Sequence, residues 1–243
     1  MARPREGLLA IALRPVHLRG VRSIPDRLRT AEQPTLLVEG ETGAPKRVAF
    51  LSGSFDPLTL GHTTMAEAAA ERADLVVLIY SVRTLPKEGD TVPPLLSEEE
   101  RLDIISTWCE GHPGIVPGVC SHGLLANQAD AVRGCFPGAR SLIVLGSDKA
   151  LQLLDPKWYD DRNSELGALF KQSDVLYAER SGEEGAVDAE LALRENSRWR
   201  KHFVRIDIPA TVASISARKV RTLVAKGKRF EKLLPKESAD ALS

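Results

Sequence analysis

From residue 47 onward the chain alternates between two periodicities, and this alternation limits its fold more than any other feature. Short apolar or β-branched runs occur at "RVAFLSG" (47–53), "DLVVLIY" (74–80), "GIVPGVC" (114–120), "SLIVLG" (141–146), "DVLYAER" (174–180) and "HFVRIDI" (202–208), most of them bounded by Gly, Pro or Asp. Helical patterns lie between them, such as "HTTMAEAAAERA" after the first run and "SEEERLDIISTWC" after the second, where Ser97 and Glu100 have capping-box spacing. Strands separated by helices need crossover connections, so the expected fold class is α/β: a doubly wound, mostly parallel sheet with helices on both faces. Ligands of such sheets sit at the carboxyl ends of the strands, so residues just after each run are the ones to read for chemistry.

Composition narrows the function classes. The 243 residues are 43% hydrophobic and carry 33 basic and 33 acidic side chains. That balance fits a soluble globular protein and argues against a dedicated nucleic-acid binder, whose affinity rests on clustered Lys and Arg. Cys109, Cys120 and Cys135 form no C-x-x-C pair, which suggests neither a disulfide framework nor a zinc site and fits a reducing, cytoplasmic compartment. No apolar run approaches the roughly 20 residues of a membrane-spanning helix, so no membrane partner is expected. Arg3, Arg5, Arg14, Arg19 and Arg22 give the first residues the character of a transit peptide, but Pro4, Pro15 and Pro25 interrupt them and favour a peripheral extension. A boundary is drawn in "EGETGAPK": residues 1–46 are an extension of unknown role and 47–243 the domain, so removing residues 1–44 is expected to leave it folded and active. "SGEEGAVDAE" (181–190) reads as a surface loop. A homo-oligomer is left open.

The stretch "GSFDPLTLGH" (53–62) follows the first strand. Gly53 and Ser54 let the backbone approach a bulky anion, Pro57 stiffens the turn, and a helix beginning near Gly61 offers unpaired N–H groups and a positive dipole end. This is a phosphate site, although neither a P-loop nor a G-x-G-x-x-G fingerprint. Thr59 and His62 add a hydroxyl and an imidazole. A histidine at a helix start is as often structural as functional, so the remaining motifs carry weight.

"GSFDPLTLGH" resembles the signature G-[ST]-F-[DN]-P-x-[HT]-x-G-H of the HIGH-type nucleotidyltransferase superfamily at every fixed position. "SISARKVR" (214–221) is similar to its [IV]-S-S-T-x-[IV]-R segment, and "LIVLGSDKALQLLDPKWY" with "VLYAERSG" is similar to the G-x-D and Trp-containing stretch of nicotinamide and nicotinate mononucleotide adenylyltransferases. The three together span about Val48 to Pro235. The resemblance implies a Rossmann-like nucleotidyltransferase fold with a C-terminal helical segment. It also implies adenylyl transfer from ATP to the 5'-phosphate of a pyridine mononucleotide, with Mg²⁺ bound through the ATP phosphates rather than by a protein cage.

By the same resemblance, His62 is the donor to the transferred phosphoryl group, while Thr59, Gly61 and the Gly53, Ser54, Phe55 backbone hold the triphosphate. Ser214 and Ser216 bind nucleotide phosphates, and Arg221 or Arg218 reaches the leaving pyrophosphate. Gly146 and Asp148 hold the ATP ribose, Lys87 faces a phosphate, Trp158 stacks on the pyridine ring, and Arg180 contacts substrate or adenine. Each has a plainer reading: serine before a helix is an N-cap, Asp148 caps a helix, Lys87 is a surface lysine and Trp158 is core. The sequence departs from the family pattern in two places. Ala217 and Arg218 stand where Ser and Thr are common, and "CSHGLLANQADAV" (120–132), with His122 and Asn127, replaces an acidic residue and a T-x-x-T-L segment. Other acceptors, CTP as donor, and a non-catalytic nucleotide binder are the alternatives.

Overall fold

In the computed structural model, residues 24–83 and 93–242 are described. In chain order the elements are α1 (Asp26–Arg29), β1 (Leu36–Val38), β2 (Arg47–Gly53), α2 (Leu60–Ala70), β3 (Leu75–Ser81), α3 (Glu98–Glu110), β4 (Ile115–Cys120), α4 (Leu125–Cys135) and β5 (Arg140–Gly146). They continue with α5 (Ser147–Leu154), α6 (Arg162–Leu169), β6 (Ser173–Ala178), α7 (Ala186–Ala192), β7 (Phe203–Arg205), α8 (Ala210–Ala213), α9 (Ala217–Ala225) and α10 (Lys236–Ala241). All six expected strands are present, and α3 starts at the expected capping box, where Ser97 Oγ accepts the Glu100 N–H and the Glu100 carboxylate accepts the Ser97 N–H. Contrary to the loop reading of residues 181–190, α7 occupies the second half of that stretch.

The strands form one sheet in the order β1-β4-β3-β2-β5-β6-β7, parallel except for β1. Chain order runs outward from β2 through β3 to β4, then resumes at β5 on the other side of β2. The switch point where a ligand crevice is expected therefore lies between β2 and β5. Side chains alternate across β2. Ala49 and Leu51 join a core with Met65, Ala66, Ile105 and Trp108 from α2 and α3, while Val48 and Phe50 join a second core with Val132, Leu154, Leu166 and Val187 from α4 to α7. Two cores on two faces are the packing consequence of the periodicity seen in the sequence. Among the described residues no helix is long and apolar enough to cross a membrane.

The boundary at residue 46 does not mark a break in packing. Leu36, Leu37 and Val38 pair antiparallel with Cys120, Val119 and Gly118 of β4, and Ile24, Leu28, Leu36 and Leu37 are buried. Gly118 makes this approach possible, because a Cβ there would lie 2.6 Å from Val77 Cγ1 and 3.3 Å from the Leu37 carbonyl oxygen.

Removing residues 1–44 is therefore expected to uncover the edge of β4 and several buried apolar side chains, giving an aggregating protein. Even the single change Leu28→Ala should lower unfolding stability by about 2–5 kcal/mol, measured by denaturant melts.

Candidate functional site

The first motif is a short, strongly constrained turn between β2 and α2. Phe55 adopts φ 43°, a left-handed conformation that a bulky residue visits only when its surroundings fix it. Its ring fills the space beside Gly53, where a Cβ would lie 3.1 Å away. The Asp56–Pro57 peptide is cis. Asp56 is buried, and its carboxylate accepts the N–H groups of Leu95 and Leu96 while Arg101 and Arg221 approach it to 3.6 and 3.5 Å.

Thr59 is the N-cap of α2 and His62 its third residue. The Thr59 backbone N–H donates to His62 Nδ1 at 3.1 Å, with the Thr59 hydroxyl 3.0 Å from the same nitrogen. Imidazole here takes the place of the usual capping-box Glu or Gln. A backbone N–H can only donate, so Nδ1 is an acceptor and the neutral ring carries its proton on Nε2. The edge-on ring of Phe55, 5.2 Å away between centroids, flanks the imidazole. Thr59 is fully buried, so its place is behind His62 rather than against a triphosphate.

The second and third motifs meet the first through two close approaches. A Cβ on Gly61 would come within 2.8 Å of the Ile215 carbonyl oxygen, so only glycine lets the start of α2 pack against the turn containing Ser214 and Ser216. Arg180, after β6, donates from Nη1 to that same carbonyl (3.1 Å) and from Nε to Asp148 Oδ1 (2.9 Å), while its backbone N–H donates to Ser147 Oγ. Gly146 makes room for this pair, since its Cβ would meet Asp148 Oδ1 at 2.6 Å and Arg180 Nε at 2.7 Å. Backbone contact thus requires glycine at 61, while Gly53 and Gly146 make room for neighbouring side chains. Gly53, Gly61, His62, Gly146, Asp148, Arg180, Ser214 and Ser216 are brought together at the β2, β5 and β6 ends.

Other expected residues are placed differently. Arg221 is 4% exposed and donates from Nη1 to the Asp56 carbonyl (3.0 Å), so it positions the first motif from inside the protein. Arg218, on the preceding turn of α9, is exposed. Ser216 is the N-cap of α9, its Oγ accepting the Lys219 N–H. Trp158 is 49% exposed rather than core; it lines a groove with Asp148, Gln152, Asp155 and Glu190 that is not lined by His62 or Thr59. Lys87 lies outside the described residues. Sequence reasoning missed Asp56 and Ser147 as organising groups, although the "FDP" of the motif contained the first. Among the described residues no group of three or more His, Cys, Asp or Glu side chains is placed to hold a metal ion.

The chain matches a family model described as cytidylyltransferase-like over residues 50–165. It is similar to the probable nicotinate-nucleotide adenylyltransferase of Bordetella avium, 26% identical over 196 residues that cover 78% of this chain and 91% of that protein. The Bordetella petrii protein of the same description is 29% identical over 198 residues, covering 78% and 92%. A shorter match, 36% identical over 69 residues and covering 28% and 39%, is to the phosphopantetheine adenylyltransferase of Carboxydothermus hydrogenoformans.

Replacing Asp56 by Ala removes the acceptor of two backbone N–H groups and the carboxylate beside the Arg101 and buried Arg221 guanidinium groups and is expected to cost about 3–5 kcal/mol of stability, readable as a lower denaturation midpoint. Trp158→Ala, by contrast, should leave the melting temperature nearly unchanged, because the indole is half in water.

Proposed function

We propose that this chain, which matches a cytidylyltransferase-like model over residues 50–165 and is similar to probable nicotinate-nucleotide adenylyltransferases over most of their length, joins the adenylyl group of ATP to the 5'-phosphate of a pyridine mononucleotide. Nicotinate mononucleotide is favoured, since the two Bordetella relatives, matched over 91% and 92% of their length, are named for it. An oxygen of the acceptor phosphate attacks the α-phosphorus, the bond from that phosphorus to the bridging oxygen breaks, and its electron pair leaves with pyrophosphate. A phosphoanhydride forms and no covalent enzyme intermediate is needed. The observation that carries this reading is the Thr59 N–H donating to His62 Nδ1, which fixes the neutral ring with its proton on Nε2 at the start of α2, just after β2.

In this reading His62 Nε2–H stabilises charge that develops on the α-phosphoryl oxygens, and its fixed orientation means that little reorganisation accompanies the reaction. Thr59 positions the imidazole. Asp148 accepts ribose hydroxyls beside the Arg180 guanidinium, and Arg218, with the α9 start, faces the leaving pyrophosphate. When bound, Mg²⁺ would offset phosphate charge; the side chains gathered here are mainly hydrogen-bond donors suited to phosphate, so the ion would be held by phosphate oxygens and water. Trp158 is left out of the acceptor contact, because its groove is lined by α5 and α7 residues rather than by the first motif. The partial match to a phosphopantetheine adenylyltransferase supports a second reading with another phosphate acceptor.

Pyrophosphate release measured with ATP, Mg²⁺ and each of nicotinate mononucleotide, nicotinamide mononucleotide and phosphopantetheine tests the reading; turnover only with the last would replace it by the second. His62→Ala should lower kcat by about 10²-fold or more with the KM for ATP little changed. A parallel loss of ATP binding would make His62 a ground-state anchor instead.

A further inference from the structure

The segment before β2 ends in a hydrogen-bonded cluster at the carboxyl ends of β3 and β4. Arg83, two residues past β3, donates from Nη2 to the carbonyls of Arg29 (3.1 Å) and Ala31 (2.8 Å), which lie at and just beyond the end of α1. Its Nη1 is 3.1 Å from His122 Nε2. A guanidinium can only donate, so Nε2 of His122 accepts and the ring proton sits on Nδ1, the opposite tautomer from His62. That proton points at Ser121 Oγ, 2.8 Å away, which also accepts the Thr35 N–H at 2.9 Å and donates to the Gln33 carbonyl. Burial and the neighbouring Arg83 both hold the His122 pKa below its ordinary value, which keeps the ring in this neutral, accepting state. Buried Gln128 closes the cluster, its amide donating to Ser81 Oγ and the carbonyls of His122 and Gly123.

The position of this cluster suggests its use. The register pairs Gly53 with Tyr80 and Ser81 with Cys120, so Arg83, Ser121 and His122 stand at the same rim as the first motif. They lie one and two strands away from it, about 5–10 Å at the usual strand spacing, a span comparable to the reach of a mononucleotide from its 5'-phosphate to the substituent on its base. The residues assigned to ATP lie on the opposite side of β2, at β5, β6 and α9. Among the described residues Arg83 is a cation placed at the acceptor end, and its position is set by the segment preceding β2 rather than by the strand that carries it.

Resting on the functional reading above, we infer that residues 24–38 are a built part of the acceptor half of the site, and that Arg83, oriented by the Arg29 and Ala31 carbonyls and by His122, selects an acceptor that carries a carboxylate on its ring over one that carries a neutral amide. Arg83 is the specificity residue; Ser121 and His122 are positioning residues.

The test compares nicotinate and nicotinamide mononucleotide as acceptors for the full chain and for Arg83→Ala, Arg83→Lys and Ser121→Ala. The wild-type protein should prefer the nicotinate form. Arg83→Ala should lower the ratio of the two kcat/KM values by about 10-fold or more through a higher KM for nicotinate mononucleotide, with the KM for ATP within about twofold of wild type. Arg83→Lys, which keeps the charge but not the fork, and Ser121→Ala, which frees the His122 ring, should fall between. If Arg83→Ala does not fold, Arg83→Lys decides the question by the same ratio. A wild-type preference for the amide, an unchanged ratio in the Arg83 variants, or a loss shared equally by both mononucleotides or by ATP would overturn the inference while leaving adenylyl transfer intact. A wild-type protein that turns over neither mononucleotide would overturn the functional reading and this inference with it.

Discussion

Four separate pieces of the chain depend on the carboxylate of Asp56. It holds the Leu95 and Leu96 N–H groups, lies beside Arg101 of α3 and Arg221 of α9, and belongs to the turn that aims His62. A buried carboxylate is costly unless its oxygens are paired, and here the pairing is shared among elements far apart in sequence. The same group that fixes the first motif therefore fixes α9 relative to it. Arg101 and Arg221 act in concert as well, each also donating to a nearby carbonyl, Leu96 O and Asp56 O respectively.

Around that anchor the crevice is organised by missing side chains. Gly53, Gly61 and Gly146 each leave space that another part of the protein occupies: a Phe55 ring, an Ile215 carbonyl, and the Asp148–Arg180 pair. The signature glycines thus allow three loops to approach at backbone distance, and the ligand meets a surface whose atoms are already held. Preorganisation of this sort matters for a reaction in which the protein contributes mainly positioning and charge stabilisation.

Much of this was legible in the sequence because it was periodic or locally encoded. The six apolar runs became strands, the Ser97 and Glu100 spacing became a capping box, and "GSFDPLTLGH" became a turn and helix start with His62 at its third position. What was not legible depended on partners distant along the chain. Arg221 matched a phosphate-binding position, but its guanidinium is taken by a carboxylate 165 residues earlier. Trp158 matched a ring contact in its local motif, while packing of α5 against α7 decides which groove it lines. Leu36–Val38 is three residues long, too short for alternation to register. Its best signal was indirect: Pro117 and Gly118 within a run otherwise reading as strand imply a sheet edge or a close backbone approach, and β1 makes that approach.

The antiparallel direction of β1 governs where the preceding chain is delivered. In a sheet whose other strands all run one way, a strand entering in the opposite sense begins where its neighbour finishes, and Leu36 indeed stands opposite Cys120, the last residue of β4. The residues just upstream of Leu36, Arg29 and Ala31 among them, are carried to the carboxyl-end rim of the sheet without any crossover connection. A parallel strand at the same edge would have left α1 at the far end of the sheet, on the amino side of β4. Reversing one three-residue strand is thus an economical topological route by which a sequence added before a nucleotide-binding core can reach the mouth of its active site.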